Sequence, residues 1–135
     1  MGIFTKLEQL LSPQKLDLLY QIGKVATING VSVYIVGGTV RDVLLGRVPK
    51  DVDVVVEGDG IKFSHILASL LGGKVVSVSR FLTSKVQIQG NFIDVASTRR
   101  ESYSKPGSLP IVQLGTLEED LLRRDFSINA MALKI

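Results

Sequence analysis

The strongest constraint on the fold is an apolar repeat with helical spacing between residues 63 and 71. The repeat consists of Phe63, Ile66, Leu67, Leu70 and Leu71. Apolar residues three and four positions apart predict an amphipathic helix with one buried face, and Gly72-Gly73 predicts its end. The single histidine, His65, falls on the opposite face and is predicted to be exposed. Such a helix must pack on another element, which here is a sheet.

Runs of β-branched and apolar residues on both sides of this helix predict the strands of that sheet. They lie at residues 31–36, 51–56, 74–79, 83–88, 92–96 and 128–135. Ser12-Pro13 predicts the start of another helix, which ends at Gly30. Thr39-Val40-Arg41-Asp42 resembles a capping box and predicts a short helix ending at Gly46. The fold class is therefore α/β or α+β, with helices mainly on one face of the sheet.

The remaining connections carry turn and loop signals. Gly90-Asn91 predicts a hairpin turn between the strands on either side of it. The long polar stretch from Ser97 to Gly115 predicts a loop, and loops of that length are usually functional or mobile. Thr116-Leu117-Glu118-Glu119 predicts a further capped helix that ends around Arg124.

Composition narrows the possible chemistry. The chain has 135 residues, which suits one domain, and it has no cysteine and one histidine. A cysteine-based site or a zinc site of the His/Cys type is therefore excluded, and any metal is expected to have oxygen ligands, as magnesium and calcium prefer. A net charge of +3 permits nucleic acid as a partner without requiring it. No signal peptide or membrane span is predicted, so the expected location is cytoplasmic.

Three aspartates are candidates for a metal site. Asp51 and Asp53 are two residues apart in a predicted strand, so both carboxylates face one side and repel each other unless a cation lies between them. Two magnesium ions about 3.5–4 Å apart, bridged by carboxylates, are usual in phosphoryl transfer. Asp94 would complete a three-acid site from a neighbouring strand. The alternatives are a polar strand end in solvent for the pair and an edge-strand charge for Asp94.

Two further groups of residues are candidates for nucleotide binding. Gly37-Gly38 precedes a helix whose N-terminal N–H groups could bind an anion, and Arg41 in its first turn favours an anion nearby. Asp42 could equally be the capping-box acid. Asp125 and Asn129 are polar residues among apolar neighbours, so they need partners, which a ribose and a triphosphate would supply. For the preceding arginines, compensation of the helix dipole is an alternative.

The order and spacing of these motifs resemble one family over about 100 residues, from Tyr34 to Leu133. The segments VGGTVRDVLLGRVPKDVDVVVEGDG, IDVASTRRESY and GSLPIVQLGTLEEDLLRRDFSINAMAL are similar to those of the class II tRNA nucleotidyltransferase and bacterial poly(A) polymerase family. The resemblance implies a nucleotidyltransferase-type mixed sheet. It also implies that residues 31–135 form the catalytic head and residues 1–30 an N-terminal helical segment packed on it.

The resemblance implies roles for individual residues. Asp51 and Asp53 match the metal-binding acids, and Asp94 matches the third carboxylate. Those matching the nucleotide-binding motifs are Gly37, Gly38, Arg41, Arg124, Asp125 and Asn129. Arg99 and Glu101 match the flexible loop of the family, where a role is possible.

The implied activity is Mg²⁺-dependent transfer of AMP or CMP from ATP or CTP to an RNA 3′-hydroxyl, with release of pyrophosphate and two ions at the site. The expected RNA is the 3′ end of tRNA, where CC or A is added. The alternatives are poly(A) synthesis and a catalytically idle nucleotide- or RNA-binding head. Family members continue into neck, body and tail regions, which this chain is expected to lack, and the neck carries the groups that pair with the incoming base.

Overall fold

The computed structural model describes residues 3–48, 52–102, 106–107, 111–116 and 132–134. Its helices are α1 (Ile3–Leu10), α2 (Pro13–Ile28), α3 (Gly37–Leu44) and α4 (Gly60–Leu71). Its strands are β1 (Val33–Val36), β2 (Val52–Val56), β3 (Lys74–Val78), β4 (Thr83–Ile88), β5 (Asn91–Ser97), β6 (Arg99–Ser102), β7 (Ile111–Leu114) and β8 (Ala132–Lys134). Among the described residues, no helix is long and apolar enough to cross a bilayer.

Six strands form one mixed sheet in the order β3-β4-β5-β2-β1-β8. Only the central pair in this sheet, β2 and β5, is parallel, and the other neighbours are antiparallel. The chain therefore leaves β2 through α4, reaches the far edge at β3 and returns through β4 to β5. This arrangement confirms the predicted mixed sheet. It also makes β2 and β5 neighbours, although they are not consecutive along the chain.

The hydrophobic core lies between the helices and one face of the sheet. Alternate residues of the strands point into it, as the pairs Val54 and Val56 or Ile93 and Val95 illustrate. Leu18 and Ile22 of α2 and Leu7 of α1 belong to the same core. The division at residue 30 into a helical segment and a head stays a prediction, although the two parts share these core contacts.

Helix α4 follows the predicted repeat, with one difference. The Asp59 carboxylate accepts hydrogen bonds from the N–H groups of Ile61 and Lys62, both at 3.1 Å, and so caps its N-terminus. His65 is exposed, as predicted. Leu67 is completely buried, whereas Leu70 is 59% exposed. The buried face of α4 therefore differs from the apolar repeat: it consists of Phe63 and Leu67 together with two small residues, Gly60 and Ser64.

Several local predictions need correction. Helix α3 begins at Gly37 rather than at Thr39, and Val36 precedes it without a side-chain cap. The β4–β5 turn consists of Gln89 and Gly90, with φ of 52° and 79°, because a two-residue turn of this hand needs positive φ at both positions. Helix α1 carried no clear sequence signal. The predicted helix to Arg124 lies outside the described residues beyond Thr116.

The predicted long loop also contains a hairpin. Residues 99–102 pair antiparallel with residues 111–114 as strands β6 and β7. Ile111 and Val112 have the β-branched side chains that favour a strand, but the prolines and glycine before them obscured the signal. Thr98 joins this hairpin to the main sheet: its N–H donates to the Val56 carbonyl at 2.9 Å and its hydroxyl to the Gly115 carbonyl at 2.5 Å.

The two glycines after α4 predict different costs of substitution. Gly72 has φ of 70° with open space around it, so Gly72→Ala is expected to cost about 1 kcal/mol of left-handed strain. A Cβ on Gly73 would collide with the Gln87 carbonyl oxygen, which cannot move without breaking the sheet. Gly73→Ala is therefore expected to cost about 3 kcal/mol or more. Urea unfolding of both variants checks this, and a Gly73→Ala variant as stable as Gly72→Ala would contradict it.

Candidate active site

Asp53 and Asp94 lie side by side at the centre of the sheet. The parallel register of β2 and β5 pairs these two aspartates, between the pairs Val52↔Ile93 and Val54↔Val95. The flanking residues point into the core, so both aspartates lie on the opposite face of the sheet. Neighbouring strands are about 4.8 Å apart. The structure thus brings together two acids that are 41 positions apart in the sequence.

The electrostatics of this pair favour a cation. Two carboxylates on adjacent strands repel each other unless positive charge is close. Lys85 on β4 faces Asp94, with its Nζ 3.7 Å from Oδ1, and both side chains are nearly half exposed, at 45% and 46%. A solvent-exposed ion pair of this kind contributes about 0–1 kcal/mol. Lys85 therefore offsets part of the negative charge without closing the face to a metal ion.

The glycines singled out in the sequence are the first two residues of helix α3. Strand β1 ends at Val36, and Gly37 and Gly38 follow directly as helix. Val36 is extended and provides no side-chain cap. The first N–H groups of a helix have no partner within it, and the dipole makes this end positive. The N-terminus of α3 therefore has the properties that an anion requires.

Arg41 lies in a different part of the helix from the one predicted. Because α3 begins two residues before Thr39, Arg41 falls in the last turn, where the helix dipole stabilises a cation. Its Nε lies 3.5 Å from Oδ1 of Asp42. The dipole argument for an anion next to Arg41 is therefore wrong, and so is the alternative of Asp42 as a capping-box acid. A role for Arg41 in nucleotide binding stays a prediction from the family motif alone.

Thr39 makes the contact that the sequence did not predict. Its side chain is almost fully buried, at 2% exposure. Its hydroxyl accepts a hydrogen bond of 3.1 Å from the main-chain N–H of Asp53. Thr39 was interpreted as the first residue of a capping box, and nothing in the local sequence signals a bond to a residue so distant along the chain.

Arg99 is held against the turn between β3 and β4. Its Nη1 donates to the Phe81 carbonyl oxygen at 3.2 Å, and its guanidinium carbon lies 6.0 Å from the centre of the Phe81 ring. Arg80 lies over the same ring at 5.0 Å. Glu101 is in β6 opposite Val112. Both predicted loop residues therefore belong to a strand, and Arg99 is anchored to the main sheet.

The other predicted site residues lie outside the described residues. They are Asp51, Arg124, Asp125 and Asn129. Within the described parts of the chain, no group of three acidic, histidine or cysteine side chains could hold a metal ion. Asp53 and Asp94 supply two carboxylates of such a set, and the third predicted member is Asp51.

The comparisons with known proteins identify the family of the chain. Residues 33–135 match the model of the poly A polymerase head domain. The chain therefore belongs to the poly A polymerase head domain family, as its motifs indicated. It is 44% identical over 126 residues to an A-adding tRNA nucleotidyltransferase of Halalkalibacterium halodurans, covering 93% of this chain and 30% of the relative.

A second relative from the same organism is a CC-adding tRNA nucleotidyltransferase, 37% identical over 105 residues, which covers 78% of this chain and 23% of that protein. A solved structure of a CCA-adding enzyme, its apo form II, superposes with a TM-score of 0.88 and 38% identity over 99% of this chain and 32% of its own. The chain thus spans about a third or less of the length of the proteins it matches.

Proposed function

We propose that this chain is the catalytic head of an enzyme that transfers a nucleotide from a nucleoside triphosphate to the 3′-hydroxyl of tRNA. The observation that carries the proposal is the pairing of Asp53 with Asp94 on the face of the sheet opposite the core. Membership of the poly A polymerase head family supports it, since the relatives that it matches over most of its length are tRNA nucleotidyltransferases.

The donor atoms of the aspartate pair fit magnesium. Magnesium prefers carboxylate oxygens and retains water ligands, and both aspartates are partly exposed to solvent. Asp53 and Asp94 would hold the metal, with Asp51 as the third acid implied by the family motif. Two ions, as the resemblance implies, would supply activation of the attacking hydroxyl and neutralisation of the charge that develops on the leaving pyrophosphate.

The remaining residues of the chain would position the nucleotide. The N-terminal N–H groups of α3, at Gly37 and Gly38, would bind the triphosphate as an anion. By the family motif, Arg124, Asp125 and Asn129 would hold the sugar and phosphates. Orientation of the reacting groups in this way contributes a large part of the rate in phosphoryl transfer. Arg99 and Glu101 stay predictions from the loop motif.

We further propose AMP as the nucleotide that is added. The support comes from two relatives that share one organism. This chain is 44% identical to the A-adding enzyme of that organism and 37% identical to its CC-adding enzyme. The partners would then be ATP and a tRNA that ends in CC. An idle binding head is disfavoured because the two acids remain in register on the face opposite the core, and loss of an acid is the simplest way to lose activity. The cytoplasmic location stays a prediction.

A head exchange tests the proposed function. The matching head of the A-adding relative of Halalkalibacterium halodurans is replaced by this chain. The relative supplies the remaining regions of the nucleotidyltransferase. Because the relative supplies the neck, where the family places the groups that pair with the incoming base, we expect the chimera to add AMP to a tRNA ending in CC. The control is the same chimera with Asp53→Asn. A folded, tRNA-binding chimera without activity would contradict the proposal.

A separate prediction concerns nucleotide binding by the chain alone. Recognition of phosphate and sugar does not depend on the base, so ATP, CTP, GTP and UTP are expected to bind weakly and within roughly threefold of each other, less than about 0.7 kcal/mol. Binding should require magnesium and weaken as salt rises, because it depends on charge. Calorimetric titration of all four nucleotides measures this. A strong preference for one base would show that the head itself selects the nucleotide.

A further inference from the structure

We propose that Thr39 is a positioning residue, whose buried hydroxyl fixes the strand that carries Asp53 against the helix that begins with Gly37-Gly38. The inference rests on the proposed function, in which the strand contributes a metal ligand and the helix binds the triphosphate. The observation behind it is the hydrogen bond of 3.1 Å from the Asp53 main-chain N–H to the Thr39 hydroxyl.

This bond connects two elements of the fold. Here the bond joins Thr39 to a residue 14 positions later, in another element. The pairing of β1 with β2 ends at Ile35↔Val54, so Asp53 lies one residue beyond the last pair. The Thr39 hydroxyl therefore accepts the N–H of Asp53 at the point where the strand pairing has stopped.

The bond connects the two parts of the proposed site. On one side, Asp53 is held in register with Asp94 by the pairing of β2 with β5. On the other side, Thr39 follows Gly38 directly in the first turn of α3. The N–H that donates is on the same residue as the proposed metal-binding carboxylate, so a shift of that main chain moves the carboxylate. Thr39 is only 2% exposed, so water has little access to take the place of its hydroxyl as the acceptor for the Asp53 N–H.

Groups that orient metal ligands without touching the metal have measurable effects. Loss of such a group typically lowers metal affinity or activity by about 10- to 100-fold. A purely structural role for Thr39 would lower the stability of the fold and leave the affinity of the folded fraction unchanged. The two roles are therefore distinguished by metal binding measured on folded protein.

Three variants provide the comparison. Thr39→Val removes the hydroxyl and keeps the branched shape, whereas Thr39→Ser keeps the hydroxyl and removes the methyl group. Thr27→Val is the matched control, because Thr27 is exposed in α2 and its hydroxyl donates to the Gly23 carbonyl within the same helix at 3.0 Å. Circular dichroism establishes that each variant is folded before it is titrated.

The experiment is a titration of the chain with magnesium chloride, followed by ¹H–¹⁵N NMR, together with hydrogen exchange of the Asp53 amide without metal. We expect Thr39→Val to bind magnesium roughly tenfold more weakly than wild type and to exchange the Asp53 amide faster. Thr39→Ser should stay within about twofold of wild type, and Thr27→Val should be unchanged. In the chimeric enzyme, Thr39→Val should lower kcat and leave the KM for tRNA unchanged.

The outcomes separate the two proposals. If wild type binds magnesium at Asp53 and Asp94 and Thr39→Val binds it equally well, the positioning role is wrong and the proposed function stands. If wild type does not bind magnesium there, the proposed function fails and the positioning role fails with it. A rapidly exchanging Asp53 amide in wild type would overturn the positioning role even if Thr39→Val does not fold.

Discussion

Replacement of Asp53 by asparagine is expected to abolish nucleotide transfer while leaving the fold intact. The substitution removes a negative charge from the face where Asp53 and Asp94 are paired, so the mutual repulsion falls and the fold loses no core contact. What is lost is the charge that holds the metal, whose stabilisation of the transition state is worth several kcal/mol. A loss of about 4 kcal/mol corresponds to a decrease in kcat on the order of 10³-fold. Single-turnover transfer by the chimeric enzyme, with saturating tRNA and ATP, measures it.

The matched control for this prediction is Asp17→Asn. Asp17 is an exposed carboxylate in α2 that accepts a hydrogen bond of 2.5 Å from the Gln21 side-chain amide. The substitution is chemically the same, but Asp17 is far along the chain from Asp53 and Asp94. Asp17→Asn should therefore leave the rate of nucleotide transfer almost unchanged. Near-wild-type activity of the Asp53→Asn chimera would remove Asp53 from the metal site.

Replacement of Leu67 by alanine is expected to have the largest effect on stability. Leu67 lies in the middle of α4 and is completely buried against the sheet. A buried leucine replaced by alanine leaves a cavity and costs about 2–5 kcal/mol. That is a large part of the 5–15 kcal/mol by which domains are usually stable. Urea unfolding followed by circular dichroism gives the free energy of unfolding.

The control uses the same substitution on the same helix. Leu70 is part of the same apolar repeat in the sequence but is 59% exposed. Leu70→Ala removes few core contacts, so its cost should stay below about 0.5 kcal/mol, as for most surface substitutions. Equal costs at the two positions would mean that the buried face of α4 is wider than the structure shows.

The main sheet could be predicted from the sequence because its signals are local. The β-branched runs around Val54 and Val86 need only their own residues to favour a strand. The same holds for α4, whose repeat lies within a few turns and ends at a left-handed glycine, Gly72. The neighbouring position of the second and fifth strands is not a local property, so from the residues alone the meeting of Asp53 and Asp94 is a hypothesis, which the family resemblance supports by matching Asp94 to the third carboxylate.

The errors arose where distant contacts decide the local structure. Thr39 has the chemistry of a helix cap, but its hydroxyl accepts from Asp53 instead, and α3 starts earlier. This shift moved Arg41 from the first turn of the helix to the last and reversed the sign of the dipole argument. The pairing of residues 99–102 with residues 111–114 was missed because both strands are short and, among the described residues, form a separate two-stranded sheet. Their pairing is a contact between distant residues, which local sequence signals do not show.

The position at which a paramagnetic metal ion binds tests whether Asp53 and Asp94 form the metal site. Manganese prefers the same oxygen ligands as magnesium, and it broadens the NMR signals of nuclei close to it. The chain is titrated with ATP and substoichiometric manganese chloride and observed by ¹H–¹⁵N spectroscopy, with the Asp53→Asn variant beside it. We expect selective broadening of the amides of Asp53, Asp94 and their strand neighbours in wild type, and no such broadening in the variant. Broadening centred on other acidic residues, or equal broadening in the variant, would contradict the assignment of the aspartate pair as the metal site.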